Sequence, residues 1–296
     1  SSEAWHCHLH GFSWLGDLRA VGSDEARRYA RAMIEGWISE YGKWSPLPWR
    51  PDITGERLTN WLTHFGFYAA DAPDPFREML FSELARQARH LSRNASKAAS
   101  GSQRIISLKG LVYCGVSLPD SDKHLHQAMR QLEIELSRQI LPDGGHLSRN
   151  PSIQLQLLSD VIAVRETLVA AHLEPPAWLK DAIRRVAPML RGLRLGDGGL
   201  SLFNGGAKDD ADIIGQILSK ANVRARTVSS APHSGFHRLS AGRSTVIMDT
   251  GRLPPRDANR WGHAGALSFE MSAGKERLIV NCGGGGLGPE WRQALR

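Results

Sequence analysis

Between Asp24 and Tyr41 the apolar residues Ala26, Ala30, Met33, Ile34, Trp37 and Ile38 recur every three to four positions. That is the period of one helix face, and Ser23 stands where a capping hydroxyl belongs. The same period predicts helices over about 54–69, 75–96, 102–116, 120–141, 151–172 and 175–190, joined by short turns. Residues 5–20 carry Trp5, Leu9, Phe12, Trp14, Leu15 and Leu18 at mixed spacing and read as the tail of an earlier helix with its loop. Residues 44–51, rich in Trp and Pro, read as an ordered loop. Near Leu195 the pattern changes. GDGGLSLFNGG is glycine-rich, 211–221 is a short helix, and beyond Arg226 the period falls to two. Short alternating or β-branched runs over 236–239, 244–249, 266–272 and 277–281 predict strands separated by Gly and Pro turns. Successive helices with no strands between them argue for antiparallel helix pairs. The expected fold class is therefore α+β and multidomain: a helical domain over 1–195, a connector over 196–227, and the start of an antiparallel β domain over 228–296.

One stretch concentrates polar side chains in this pattern. Asp143-Gly144-Gly145 is a glycine turn. His146, Arg149 and Asn150 follow on a short loop, and Pro151 opens an apolar helix. A polar loop held between a turn and a core helix is a place to build a site. The plainer reading makes it a decorated helix start, with Asn150 as the cap.

Composition narrows the partners. The chain has 37 Lys and Arg against 30 Asp and Glu, a formal net charge of +7, which favours polyanions. No apolar run is long enough to cross a membrane. Three cysteines, Cys7, Cys114 and Cys282, lie far apart and suggest neither a disulfide framework nor a metal knuckle. His6, His8 and His10 alternate and would share a face on a strand. Of the nine tryptophans, Trp37 and Trp61 have core spacing, whereas Trp44, Trp49 and Trp261 lie in loops where an indole could pack against a sugar ring. No phosphate-binding loop, dinucleotide fingerprint, HExxH or nucleophile elbow is present. The chain starts at Ser1 without Met and is expected to be a piece of a longer protein.

Four segments carry a resemblance: WRPDITGERLTNWL (49–62), SQRIISLKGLVYCGV (102–116), DGGHLSRNPS (143–152) and HAGALSFEMSAGKERLIVNCG (263–283). In this order they resemble the heparinase II/III-like polysaccharide lyases. The resemblance implies an incomplete α/α toroid followed by an antiparallel β-sandwich-like domain, truncated here. It also implies β-elimination at a uronic acid, with a periplasmic or envelope location. In such chemistry one group neutralises the carboxylate, a base removes the C5 proton, and an acid protonates the leaving oxygen.

Carried over by position, the resemblance implies Gln103 and Arg149 for carboxylate recognition, His146 as general base or acid, and His263 in proton transfer or metal support. Asn150, Trp49, Trp261 and Arg50 would line the substrate cleft between the two domains. The departures are specific. Ser102-Gln103 replaces Asn-His, Ile153-Gln154 replaces Tyr-His, and Trp261-Gly262-His263-Ala264-Gly265 replaces His-Gly-His-Ala-Asp. The only tyrosines, Tyr29, Tyr41, Tyr68 and Tyr113, fall on predicted helices. No cofactor is required; a structural zinc in the β domain would keep His263 but find Asn281 in place of its aspartate. Two functions stay open: a lyase of acidic polysaccharide, or a non-catalytic binder of acidic polysaccharide on the same scaffold. Nucleic acid is not an expected partner.

Overall fold

The computed structural model describes residues 3–255, 258 and 265–281. Eleven α-helices come first among them: α1 Glu3–Gly11, α2 Leu15–Val21, α3 Asp24–Tyr41, α4 Pro51–Thr63, α5 Phe65–Tyr68, α6 Asp74–Asn94, α7 Ser102–Ser117, α8 Asp122–Gln139, α9 Pro151–Ala170, α10 Ala177–Gly192 and α11 Ala211–Ala221. An antiparallel sheet follows, in the order β1 Ser230–Ala231, β2 Phe236–Ala241, β3 Ser244–Asp249, β4 Phe269–Ala273 and β5 Glu276–Ile279. Helices followed by an antiparallel sheet are the expected α+β class. The N-terminal segment is more regular than its spacing suggested, forming two short helices. The stretch with alternating histidines is helical, so His6 stacks on His10 one turn away, and the buried His10 accepts a bond from the Trp37 indole.

The described chain forms two compact units, Ser1–Glu135 and Leu136–Arg296, so the last helices group with the sheet. In the first unit, α3 follows its sequence. Ser23 accepts from the Ala26 N–H at 3.1 Å, and Ala26, Ala30, Ile34 and Trp37 are buried. Phe12, Trp37 and Trp61 meet edge to face with centroids 5.2–6.2 Å apart. Helices α4 and α7 touch through glycine. A Cβ on Gly110 would lie 2.4 Å from the Gly55 carbonyl oxygen, so this contact admits no side chain. Gly110→Ala should lower stability by about 1–3 kcal/mol through overpacking. Gly36→Ala, on the open face of α3, should be neutral or stabilising by up to about 1 kcal/mol. Thermal melts of the two variants test this, and equal melting temperatures would refute the close contact.

Cys114 lies fully buried on α7, and burial pushes its thiol up to about 12. Iodoacetamide at pH 8 should therefore leave it unmodified until the protein is denatured, as read by peptide mapping. Labelling of native Cys114 within minutes would contradict this packing.

The second unit uses one turn twice, LPDGG at 141–145 and LGDGG at 195–199. In each, the Leu N–H bonds the last glycine's carbonyl, at 2.8 and 2.9 Å, and the middle glycine has φ near +85°. The first carboxylate oxygen of Asp143 or Asp197 accepts that last glycine's N–H. The second oxygen then reaches further along the chain. Asp143 Oδ2 accepts from the N–H groups of His233 and Ser234, and Asp197 Oδ2 accepts from Arg277 Nε at 2.7 Å.

The sheet is adapted to these turns. Its inward positions include Thr245, Asp249, Glu270 and Ser272 beside Ile247. Glu270 accepts the Leu202 N–H and Ser272 the Gly196 N–H. A face that meets loop backbone must supply acceptors, because a buried N–H left unpaired is costly. Two strand limits differ from expectation. Leu267, at φ +65°, and Ser268 turn the chain before β4, and β5 begins at Glu276 after the turn at Gly274.

Candidate functional site

The loop before α9 is built from the helix outward. Asn150 caps α9, accepting from the N–H groups of Ser152 and Ile153 and donating to the Asn204 carbonyl at 3.0 Å. Gln154 is buried one turn in. Its carbonyl oxygen accepts the His146 N–H, and its amide donates to the carbonyls of Gly144 and Val186. A side chain at the position where the resemblance implies histidine thus stitches the DGG turn to α10. The His146 ring is buried, and Nδ1 accepts the Ser148 N–H at 3.0 Å. This places the proton of the neutral ring on Nε2. Ser148 Oγ lies 2.8 Å from the same nitrogen.

Arg149 occupies a left-handed backbone position, φ +56°, and its guanidinium runs inward. Nε donates to the Ser234 carbonyl at 2.6 Å, one terminal nitrogen donates to the Arg252 carbonyl, and the other pairs with Asp249 Oδ1. The other oxygen of Asp249 accepts from Asn204 Nδ2 at 3.0 Å. Both side chains of the Arg149–Asp249 pair are more than 90 % buried. The fork of Arg149 is therefore closed on the protein's own acceptors.

Beside this pair opens a pocket of about 420 Å³ that the sequence reading did not single out. His233, His237 and Arg252 line it, with Pro232, Leu253 and Pro254 among its walls. The signal lay in PHSGF at 232–236 and TGRLPP at 250–255, segments separated in sequence and joined by pairing of β2 with β3.

The remaining expected site residues lie elsewhere. Trp49, in the first unit, is buried, donates its indole N–H to the Tyr41 carbonyl, and packs edge-on against His90. Arg50 grips both oxygens of Asp52 and also reaches Glu3, which holds its pKa above the ordinary value despite partial burial. Gln103 is half-buried in the first turn of α7. His263 and Trp261 lie outside the described residues. For a zinc, only Asn281 of the implied set is described, and a carboxamide is a poor ligand for that ion. Among the described residues no three His, Cys, Asp or Glu side chains gather to hold a metal. The second unit contains no tyrosine at all.

Comparison with known proteins adds the lineage. Residues 1–222 match the family described as heparinase II/III N-terminus, and residues 223–296 match heparinase II/III-like, C-terminal. FtsZ-localized protein C of Caulobacter vibrioides (strain NA1000 / CB15N) is 33% identical over 282 residues, 95% of this chain and 49% of that protein. Among solved structures, the crystal structure of heparinase III superposes with TM-score 0.81 at 15% identity, covering 100% of this chain and 54% of that one. A mutant of the heparan sulfate lyase HepC from Pedobacter heparinus gives TM-score 0.73 at 17% identity, covering 100% and 52%. These likenesses carry the fold. The chain spans about half the length of the relatives it matches.

Proposed function

The chain belongs to the heparinase II/III-like family, and from that premise we propose that it serves as a non-catalytic binding module on a polysaccharide-lyase scaffold. One observation carries the proposal: the motif loop is spent on holding the fold. Arg149 closes on Asp249, Asn150 caps α9, and Gln154 stitches the DGG turn, while Ile153 stands where the lyases carry tyrosine. An isoleucine moves no proton, and the unit bearing this loop offers no other phenol. A relative 33% identical over most of this chain is named for localisation to FtsZ. We extend recruitment to FtsZ polymers to this protein.

The test uses the longer protein. Incubated with heparan sulphate, alginate and other uronic-acid polysaccharides, it should give no rise in absorbance from a C4–C5 double bond. Sedimented with FtsZ filaments, it should pellet with them. A rise in absorbance that His146→Ala abolishes would overturn this reading in favour of β-elimination. Salt-sensitive, saturable binding of heparan sulphate without product, and no sedimentation with FtsZ, would move the partner to an acidic polysaccharide.

A further inference from the structure

We infer that the pocket lined by His233, His237 and Arg252 binds a short acidic peptide segment with apolar side chains. The inference rests on the binding-module reading and names the kind of partner segment such a module would hold.

Its charge is one-sided. Among its described lining residues there are two imidazoles and the guanidiniums of Arg149 and Arg252, and no carboxylate. Arg149 is already closed on Asp249, which leaves Arg252 as the fork for an incoming carboxylate. Its walls are apolar, with Leu141, Leu147 and Leu253 beside the prolines. A sugar would need partners for its hydroxyls and an aromatic face for its ring. Among the described lining residues there is one hydroxyl side chain, Thr250, and no Trp, Tyr or Phe. At about 420 Å³ the pocket lies near the small end of ligand sites, roughly 300–1,000 Å³, which suits a few residues rather than a polymer.

The site is also built in advance. Asp143 accepts from the N–H groups of His233 and Ser234, fixing the turn that carries the first imidazole. Arg149 holds the carbonyls of Ser234 and Arg252, so one guanidinium ties together both turns of the rim. His237 lies on β2 opposite Met248 of β3, within the ladder. Little ordering remains to be done when a ligand arrives, and pre-organisation of this kind raises affinity.

The experiment measures fluorescence anisotropy of labelled peptides with the longer protein. The probe is a five-residue peptide alternating Leu with Asp and Glu, and the control replaces each acid by its amide. The acidic peptide should bind at least about tenfold more tightly than the amide control, and Arg252→Gln should weaken it about tenfold. His237→Gln should weaken it less. Arg184→Gln, an exposed change outside the pocket, should leave binding unchanged. Because Arg252 is exposed, Arg252→Gln should keep the wild-type melting temperature, which separates lost binding from lost folding.

Equal affinity for the acidic and amide peptides, or an Arg252→Gln variant that binds like wild type, would overturn the inference. So would a heparan sulphate oligosaccharide that binds and is lost on Arg252→Gln while the peptide does not bind. The absorbance assay keeps the two readings apart. Unsaturated product together with peptide binding would sink the non-catalytic reading and leave this site standing. No product and no peptide binding would do the reverse.

Discussion

Arg149→Met should lower the stability of the 136–296 unit by about 3–5 kcal/mol, among the larger losses a single replacement produces. The variant strands Asp249, whose carboxylate is almost wholly buried and pairs with Arg149 through Oδ1. It also leaves the carbonyls of Ser234 and Arg252 without their donor. Met keeps most of the stem and loses the guanidinium together with its position 5.1 Å over the Phe236 ring, so the loss reports the guanidinium and its contacts. A guanidinium serving only to hold a substrate carboxylate would behave differently. Its replacement would leave stability within about 0.5 kcal/mol and abolish binding. Denaturant unfolding decides between the two, and a loss below about 1 kcal/mol would refute the structural role.

Asp249→Asn completes a cycle. It keeps an oxygen for Asn204 Nδ2 or the Gly251 N–H but removes the charge. The double variant should be less damaged than the two single losses added together, with a coupling of about 1–3 kcal/mol. Full additivity would mean that the ion pair contributes nothing beyond its separate hydrogen bonds.

What the sequence discloses about this region follows from range. The cap at Asn150, Pro151 after it and the DGG turn before it are local signals, and the structure places a turn, a loop and a helix start there. The periodicity of α3 and its Ser23 cap are equally local. Arg149 reads as a loop residue for carboxylate recognition, and its structural role stays hidden because its partners lie 85, 100 and 103 positions away. His233, His237 and Arg252 stayed unmarked for the same reason, since they meet only once β2 pairs with β3. The grouping of α9 and α10 with the sheet is also non-local. The two DGG turns are local signals, but the donors their aspartates meet, the His233 and Ser234 N–H groups and Arg277, lie 80 to 91 positions away. In β4 the alternation overran the strand because Leu267 takes a positive φ, which an apolar β-like run does not announce.

Arg57 in the 1–135 unit should be as costly to replace. It is fully buried, lies 4.0 Å over the Trp37 ring, and gives hydrogen bonds to Gln87, to the carbonyls of His10 and Pro48, and to Thr54. Arg57→Met should therefore lose about 3–5 kcal/mol, because three buried oxygens at 2.8–3.0 Å lose their donor together. Arg57→Lys is the more telling variant. Burial draws the Arg57 pKa down to about 9 against the pull of Glu83, so the guanidinium is charged at pH 7. The same burial acting on a lysine, whose ordinary value is lower at about 10.4, would draw it down toward neutrality. The folded-state pKa is then below the unfolded one, so at pH values between the two the unfolded chain binds the extra proton. Stability of Arg57→Lys should rise from pH 7 to 9 relative to wild type, whose guanidinium stays charged across that range. Urea midpoints at pH 7, 8 and 9 measure it. Parallel curves for wild type and Arg57→Lys would mean that water reaches the buried site and that the cost of desolvation is not what sets this residue.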